Sequence, residues 1–205
     1  MRRFLLLALL ALALPMAAFA NSGVDFGNNG GMLVGTNSGF TLSNSILTSV
    51  DGLNGGGLIT GNNLGSVSFT TGALMSGSLQ MGGTFAGGGS FLITGNGSNG
   101  IPNGTLFSGS FSGPVTWTLV TLPNGTHNYI LSGTLTGVDM NGKAVSGVTV
   151  QLTINTGKGF FNGKTRISSG DTNISGSVPE PGTLGLLGSG LVGMARLLSR
   201  KRKGA

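Results

Sequence analysis

The dipeptide Asn-Gly recurs at 29–30, 54–55, 96–97, 99–100, 103–104, 124–125, 141–142 and 162–163. Asn-Gly tolerates the positive φ that tight hairpins demand. Between these turns, apolar and polar residues alternate. Val148, Val150, Leu152 and Ile154 are interleaved with Thr149, Gln151, Thr153 and Asn155. A period of two puts one face of a strand on a core and the other in water. Val67 and Phe69 show the same alternation, as do Val115, Trp117 and Leu119; Phe91, Ile93, Phe107 and Phe111 fit shorter strands. No stretch between Asn21 and Ser177 carries a capped, amphipathic helical period. The middle of the chain must therefore be built from many short strands.

Two hairpins can be placed by residue. Pro123-Asn124-Gly125 fits a three-residue loop, with Pro first and Gly in the left-handed region. That register sets Leu119 opposite Tyr129 and Trp117 opposite Leu131, so the single Trp and single Tyr share an apolar face. At Asn141-Gly142 a two-residue loop sets Val138 opposite Val145. The segment from Gly55 to Asn62 echoes that from Gly87 to Asn96, an offset at which a solenoid must be weighed. Two imperfect copies do not make an array. The expected fold is mainly β, an antiparallel β-sandwich, with a β-helix or solenoid as the alternative. Interior glycines weaken strands, so the 41 glycines are expected in turns, bulges and edges. With so few charges, edge strands have little protection against lateral association.

The net charge of +6 misleads as a single number. Arg2 and Arg3 begin the chain, and Arg196, Arg200, Lys201, Arg202 and Lys203 end it. Between Asn21 and Ser177, Asp25, Asp51, Asp139 and Asp171 balance Lys143, Lys158, Lys164 and Arg166. A neutral domain argues against nucleic acid as a partner. Without Cys there is no disulfide, thiolate metal site or Cys nucleophile.

Residues 1–20 read as a helical Sec-type signal peptide: two arginines, an apolar run from Phe4 to Leu14, Pro15, then Ala18-Phe19-Ala20 as the cleavage pattern. Signal peptidase is the expected partner, and Asn21 the first mature residue. At the other end, Val178-Pro179-Glu180-Pro181 precedes an uncharged run from Gly182 to Ala195. With Arg196 snorkelling, a helix over 182–198 reaches about 25 Å, the short end of a membrane span. The basic cluster then stays cytoplasmic and the domain lies across the membrane. Gly185, Ser189 and Gly193 form a small-residue pattern that a Gly-rich span produces by chance.

Those three parts in that order resemble the PEP-CTERM sorting signal. The resemblance covers residues 178–203 and implies processing by exosortase near Pro179–Pro181, in bacteria that also make exopolysaccharide. It implies release or attachment at the cell surface and nothing about the middle. The chain then divides into a signal peptide (1–20), a Gly/Ser/Thr/Asn-rich β-domain (21–177) and a sorting tail (178–205). It is expected to leave the cytoplasm, to be anchored in the inner membrane by its tail, and to finish at the surface or outside, in association with exopolysaccharide.

Catalytic chemistry is sparse. His127, the single His, is read as an exposed loop residue, and Asp51 and Asp171 as solvated turn residues, with a share in binding Ca²⁺ as their alternative. No Ca²⁺ loop or phosphate loop motif occurs, and no metal or other cofactor is expected. Asn-x-Ser/Thr at Asn96, Asn103, Asn124 and Asn173 is a by-product of composition. The expected role is non-enzymatic, a surface or matrix protein; the alternative is a carbohydrate-binding module. That alternative gains if Trp117 and Tyr129 are exposed as an aromatic platform, whereas the hairpin register puts both in the core.

Overall fold

A computed structural model describes residues 23–174. Eleven antiparallel strands make up this region. In chain order they are β1 (Val24–Thr36), β2 (Gly39–Asp51), β3 (Ile59–Thr70), β4 (Leu74–Ser78), β5 (Gly82–Phe85) and β6 (Gly88–Asn96). Then come β7 (Asn103–Phe111), β8 (Val115–Thr121), β9 (His127–Asp139), β10 (Ala144–Gly157) and β11 (Lys164–Ile174). A single 3-10 turn, Leu53–Gly55, interrupts them.

Eight of these strands close on themselves in the order β1-β2-β3-β6-β7-β9-β10-β11, with β11 pairing back onto β1. The fold is a closed β-barrel, neither the expected sandwich nor a solenoid. A sandwich has two sheets with free edges; here each barrel strand is hydrogen-bonded on both sides. The segments that suggested a repeat belong mainly to β3 and β6, which are antiparallel neighbours rather than successive parallel coils. Alternation within strands is the same in all these folds. Closure depends on pairings between strands distant in sequence, above all Val24 with Ile174.

Apolar side chains fill the barrel, as in small barrels generally. Val148, Val150, Leu152 and Ile154 are buried, while Thr149, Gln151 and Asn155 face water. Phe69, Phe91, Phe107 and Phe111 pack together, with ring centroids 5.7–6.1 Å apart. The outward rows carry mostly hydroxyl and amide side chains, the reverse of strands that face lipid. Among the described residues no helix is long and apolar enough to cross a membrane.

Glycine does more here than fill turns. Gly109 and Gly137 face each other across β7 and β9. A Cβ on Gly109 would strike the Thr136 carbonyl, and one on Gly137 the Ser108 carbonyl. Side chains are excluded there because the strands approach closely, so glycines inside strands accompany the barrel's curvature.

One edge of β9 serves two strands. Its last residues, Leu135–Asp139, pair with β7, and its first, His127–Ser132, pair with β8. From β8 a side sheet continues through β5 to β4. It folds back onto the β1–β2 hairpin, where the Leu74 amide donates to the Asn37 carbonyl at 2.9 Å. Phe40 of β2 meets Phe85 of β5 and Trp117 of β8 at centroid distances of 4.5 and 4.7 Å.

The β8–β9 hairpin has the anticipated register: Trp117 opposite Leu131 and Leu119 opposite Tyr129. The turn at Asn141-Gly142 differs. Val138 pairs with Ala144, not Val145. Asp139 and Lys143 bracket a three-residue loop, and the Asp139 carboxylate accepts from the amides of Asn141 and Lys143, both at 2.9 Å. That cap favours the longer loop with Gly142 left-handed (φ 75°).

Candidate functional site

Antiparallel pairing carries outward residues across the sheet in rows. One row runs Thr116, Ser132, Gln151, Asp171 over β8, β9, β10 and β11. The next runs Thr134, Thr149, Asn173, Asp25, Asp51 from β9 to β2. Where β8 leaves the barrel, the first row and the start of the second line a cleft of about 360 Å³, with Pro114 at its edge. This is the low end of ordinary ligand sites, roughly 300–1,000 Å³.

The cleft is lined by polar and apolar atoms in about equal measure and has no cation or aromatic ring in its lining. Thr116 and Ser132 hydroxyls bond each other at 2.7 Å. Thr134 and Ser112 hydroxyls do so at 3.1 Å. Asp171 lies at the far end, within hydrogen-bonding reach of Asp25 on the neighbouring strand. Partial burial raises its pKa from the usual 3.8 to about 6, helped by the hydrogen bond and by the charge of Asp25. The buried Oδ1 of Asp25 has no hydrogen-bond partner among the described residues.

Asp25, Asp51 and Asp171 thus gather on one face. Asp171 lies within β11, and Asp51 is the last residue of β2; neither is the turn residue expected. Among the described residues no group of three His, Asp or Glu is arranged to hold a metal. Carboxyls that flank a glycosidic bond stand at least ~5 Å apart, whereas Asp25 and Asp171 are within hydrogen-bonding reach of each other.

His127 also departs from expectation. It opens β9, is only 9% exposed, and stacks on Phe160 with centroids 4.3 Å apart. Its Nδ1 lies 3.3 Å from the Gly159 carbonyl. The β10–β11 loop folds over it, an arrangement that local sequence around His127 does not announce.

Trp117 and Tyr129 stack at 4.7 Å and are buried, so they form no sugar platform. Trp117 Nε1 donates to the Leu79 carbonyl (2.8 Å), and Tyr129 Oη donates to the Gln80 carbonyl (2.6 Å). The Phe161 amide donates to Tyr129 Oη at 3.1 Å. These bonds fasten the β4–β5 hairpin and the β10–β11 loop. The cleft residues Thr149 and Gln151 were legible only as outward positions of β10; their partnership with Asp171 appears once strand order is known.

The sorting residues Val178, Pro179, Glu180 and Pro181 lie outside the described residues. So do the basic residues Arg196, Arg200, Lys201, Arg202 and Lys203, the cleavage residues Ala18 and Ala20, and the helices expected at both ends. Residues 177–203 match the family model of the PEP-CTERM protein-sorting motif. No curated protein and no solved structure matches the chain. The motif marks an exported protein that is sorted at the membrane through exosortase.

Proposed function

We propose that this is a non-enzymatic surface or matrix protein, a neutral β-barrel delivered outside the cytoplasm by its two ends. The observation that carries the reading is the PEP-CTERM match at residues 177–203, following directly on a barrel whose exterior is largely hydroxyl and amide. The signal peptide at 1–20 brings the chain to the Sec machinery and signal peptidase. The span at 182–198 holds it in the inner membrane until exosortase acts near Pro179–Pro181. Release or attachment at the surface follows, where exopolysaccharide is the surrounding polymer.

A non-enzymatic role is supported by how the titratable groups are used. The single His is packed under a loop, and the Asp171 carboxyl is engaged by that of Asp25. Low charge suits a domain that sits in a neutral matrix.

Deleting residues 178–205 tests the reading in the native host. Fractionation should show the shortened chain absent from the membrane fraction and from the surface-attached pool, with the barrel free in soluble exported fractions. A distribution identical to that of the full chain would refute it.

A further inference from the structure

Within the cleft, hydrogen-bonding capacity is unevenly used. Thr116 and Ser132 bond each other, and Thr134 is engaged by Ser112. The side chains of Thr149 and Gln151 make no hydrogen bond among the described residues, and the Asp171 carboxyl is engaged by Asp25. These three are cross-strand or diagonal neighbours on β10 and β11. They present a hydroxyl, an amide with two donors and an acceptor, and a carboxyl, all into one concavity.

The same lining restricts the ligand. The Asp171 and Asp25 carboxyls, with no Lys or Arg in the lining, disfavour an anion. Apolar and polar atoms share the lining about equally, but the apolar part is scattered over Pro114, Gly133, Val150 and threonine methyls, so a wholly hydrophobic ligand would leave the hydroxyls unpaired. The cleft lies along outward strand rows and is open to solvent, a shape that admits the edge of an extended chain. We propose that it binds a segment of neutral, polyhydroxylated glycan edge-on. Sugar hydroxyls would bond Thr149, Gln151 and Asp171, with no aromatic stacking. The barrel would meet such a polymer only outside the cell, so the biological meaning rests on the sorting reading above. Binding is read on purified protein and sorting on cells, so the two fail separately.

The test uses the full chain in a non-glycosidic detergent, on an array of neutral and amine-bearing oligosaccharides, followed by calorimetric titration of any neutral hexasaccharide retained. Gln151→Ala alone should weaken binding about fivefold, and with Thr149→Val by more than tenfold. Thr41→Ala, on the outer face of β2, should leave binding unchanged. Thermal melts confirm that each variant is folded; if the double variant is not, Gln151→Ala alone decides. The proposal is overturned by no retention of neutral glycans. It is equally overturned by retention confined to amine-bearing glycans and abolished by salt, or by binding that folded Gln151→Ala leaves intact.

Discussion

The β8–β9 hairpin and the β1–β11 pairing are both antiparallel contacts between long strands, and they treat buried polar atoms in opposite ways. Around β8 and β9 the large polar aromatics are completed: Trp117 Nε1 and Tyr129 Oη both reach backbone carbonyls of the Leu79–Gln80 turn. Along β1 and β11, three buried atoms, Asp25 Oδ1, Asn28 Oδ1 and Thr172 Oγ1, have no partner. The register there also shifts twice, between Asn28 and Gly30 and between Gly30 and Met32. Two carboxyls meet on its outer face. The hairpin joins neighbours in sequence, whereas β1 and β11 are the first and last strands. Buried polar atoms are therefore completed at the local β8–β9 hairpin and left unpaired at the β1–β11 seam.

Substitutions can break this contrast. Tyr129→Phe should have the largest effect, a loss of about 2 kcal/mol in urea denaturation, because the Gln80 carbonyl and Phe161 amide lose a buried partner. If stability is unchanged, the completed bonds of the hairpin do not stabilise it. Thr172→Val should act in the other direction. Thr172 is fully buried and its hydroxyl is unpaired, so a near-isosteric methyl should raise stability by about 1 kcal/mol. A loss would show that the hydroxyl has a partner in solution.

Asp171→Asn should have the smallest effect, and its sign depends on pH. The folded pKa of about 6 lies above the ordinary 3.8. The contribution of the neutral acid is therefore complete below about pH 4 and lost as pH rises through 6. The amide imitates the neutral acid, so the variant should melt slightly higher than the parent at pH 7.5 and at the same temperature at pH 4. Exposure of Asp171 keeps the difference small. Equal melting at both pH values would show that neither burial nor Asp25 raises the Asp171 pKa.

What could be read in advance follows the same division. The Pro123-Asn124-Gly125 loop is local chemistry, and it placed Trp117, Leu119, Tyr129 and Leu131 in their true register. The alternation over 148–154 gave the buried face of β10. Asn141-Gly142 was misplaced by one residue because the Asp139 side chain, outside the dipeptide, sets the loop length. Closure was hidden, since nothing local in Val24 or Ile174 announces that they pair. Phe161, buried against Trp117 at 5.3 Å, sits in a Gly-flanked loop that carries no strand pattern. The cleft needed β9, β10 and β11 in order before Thr149, Gln151 and Asp171 could be seen together. The sorting tail, by contrast, is a contiguous motif and needs no fold to be recognised.

The seam itself gives the most direct measurement. Through-space NMR contacts between backbone protons of β1 and β11, around Asp25–Asn173 and Val24–Ile174, should be present in the full chain in detergent. Amides of β1 that face β11 should exchange more slowly than free amides, though faster than those of β9 facing β8. Absence of these contacts, with β1 amides exchanging freely on the β11 side, would mean an open sheet and contradict the closed barrel.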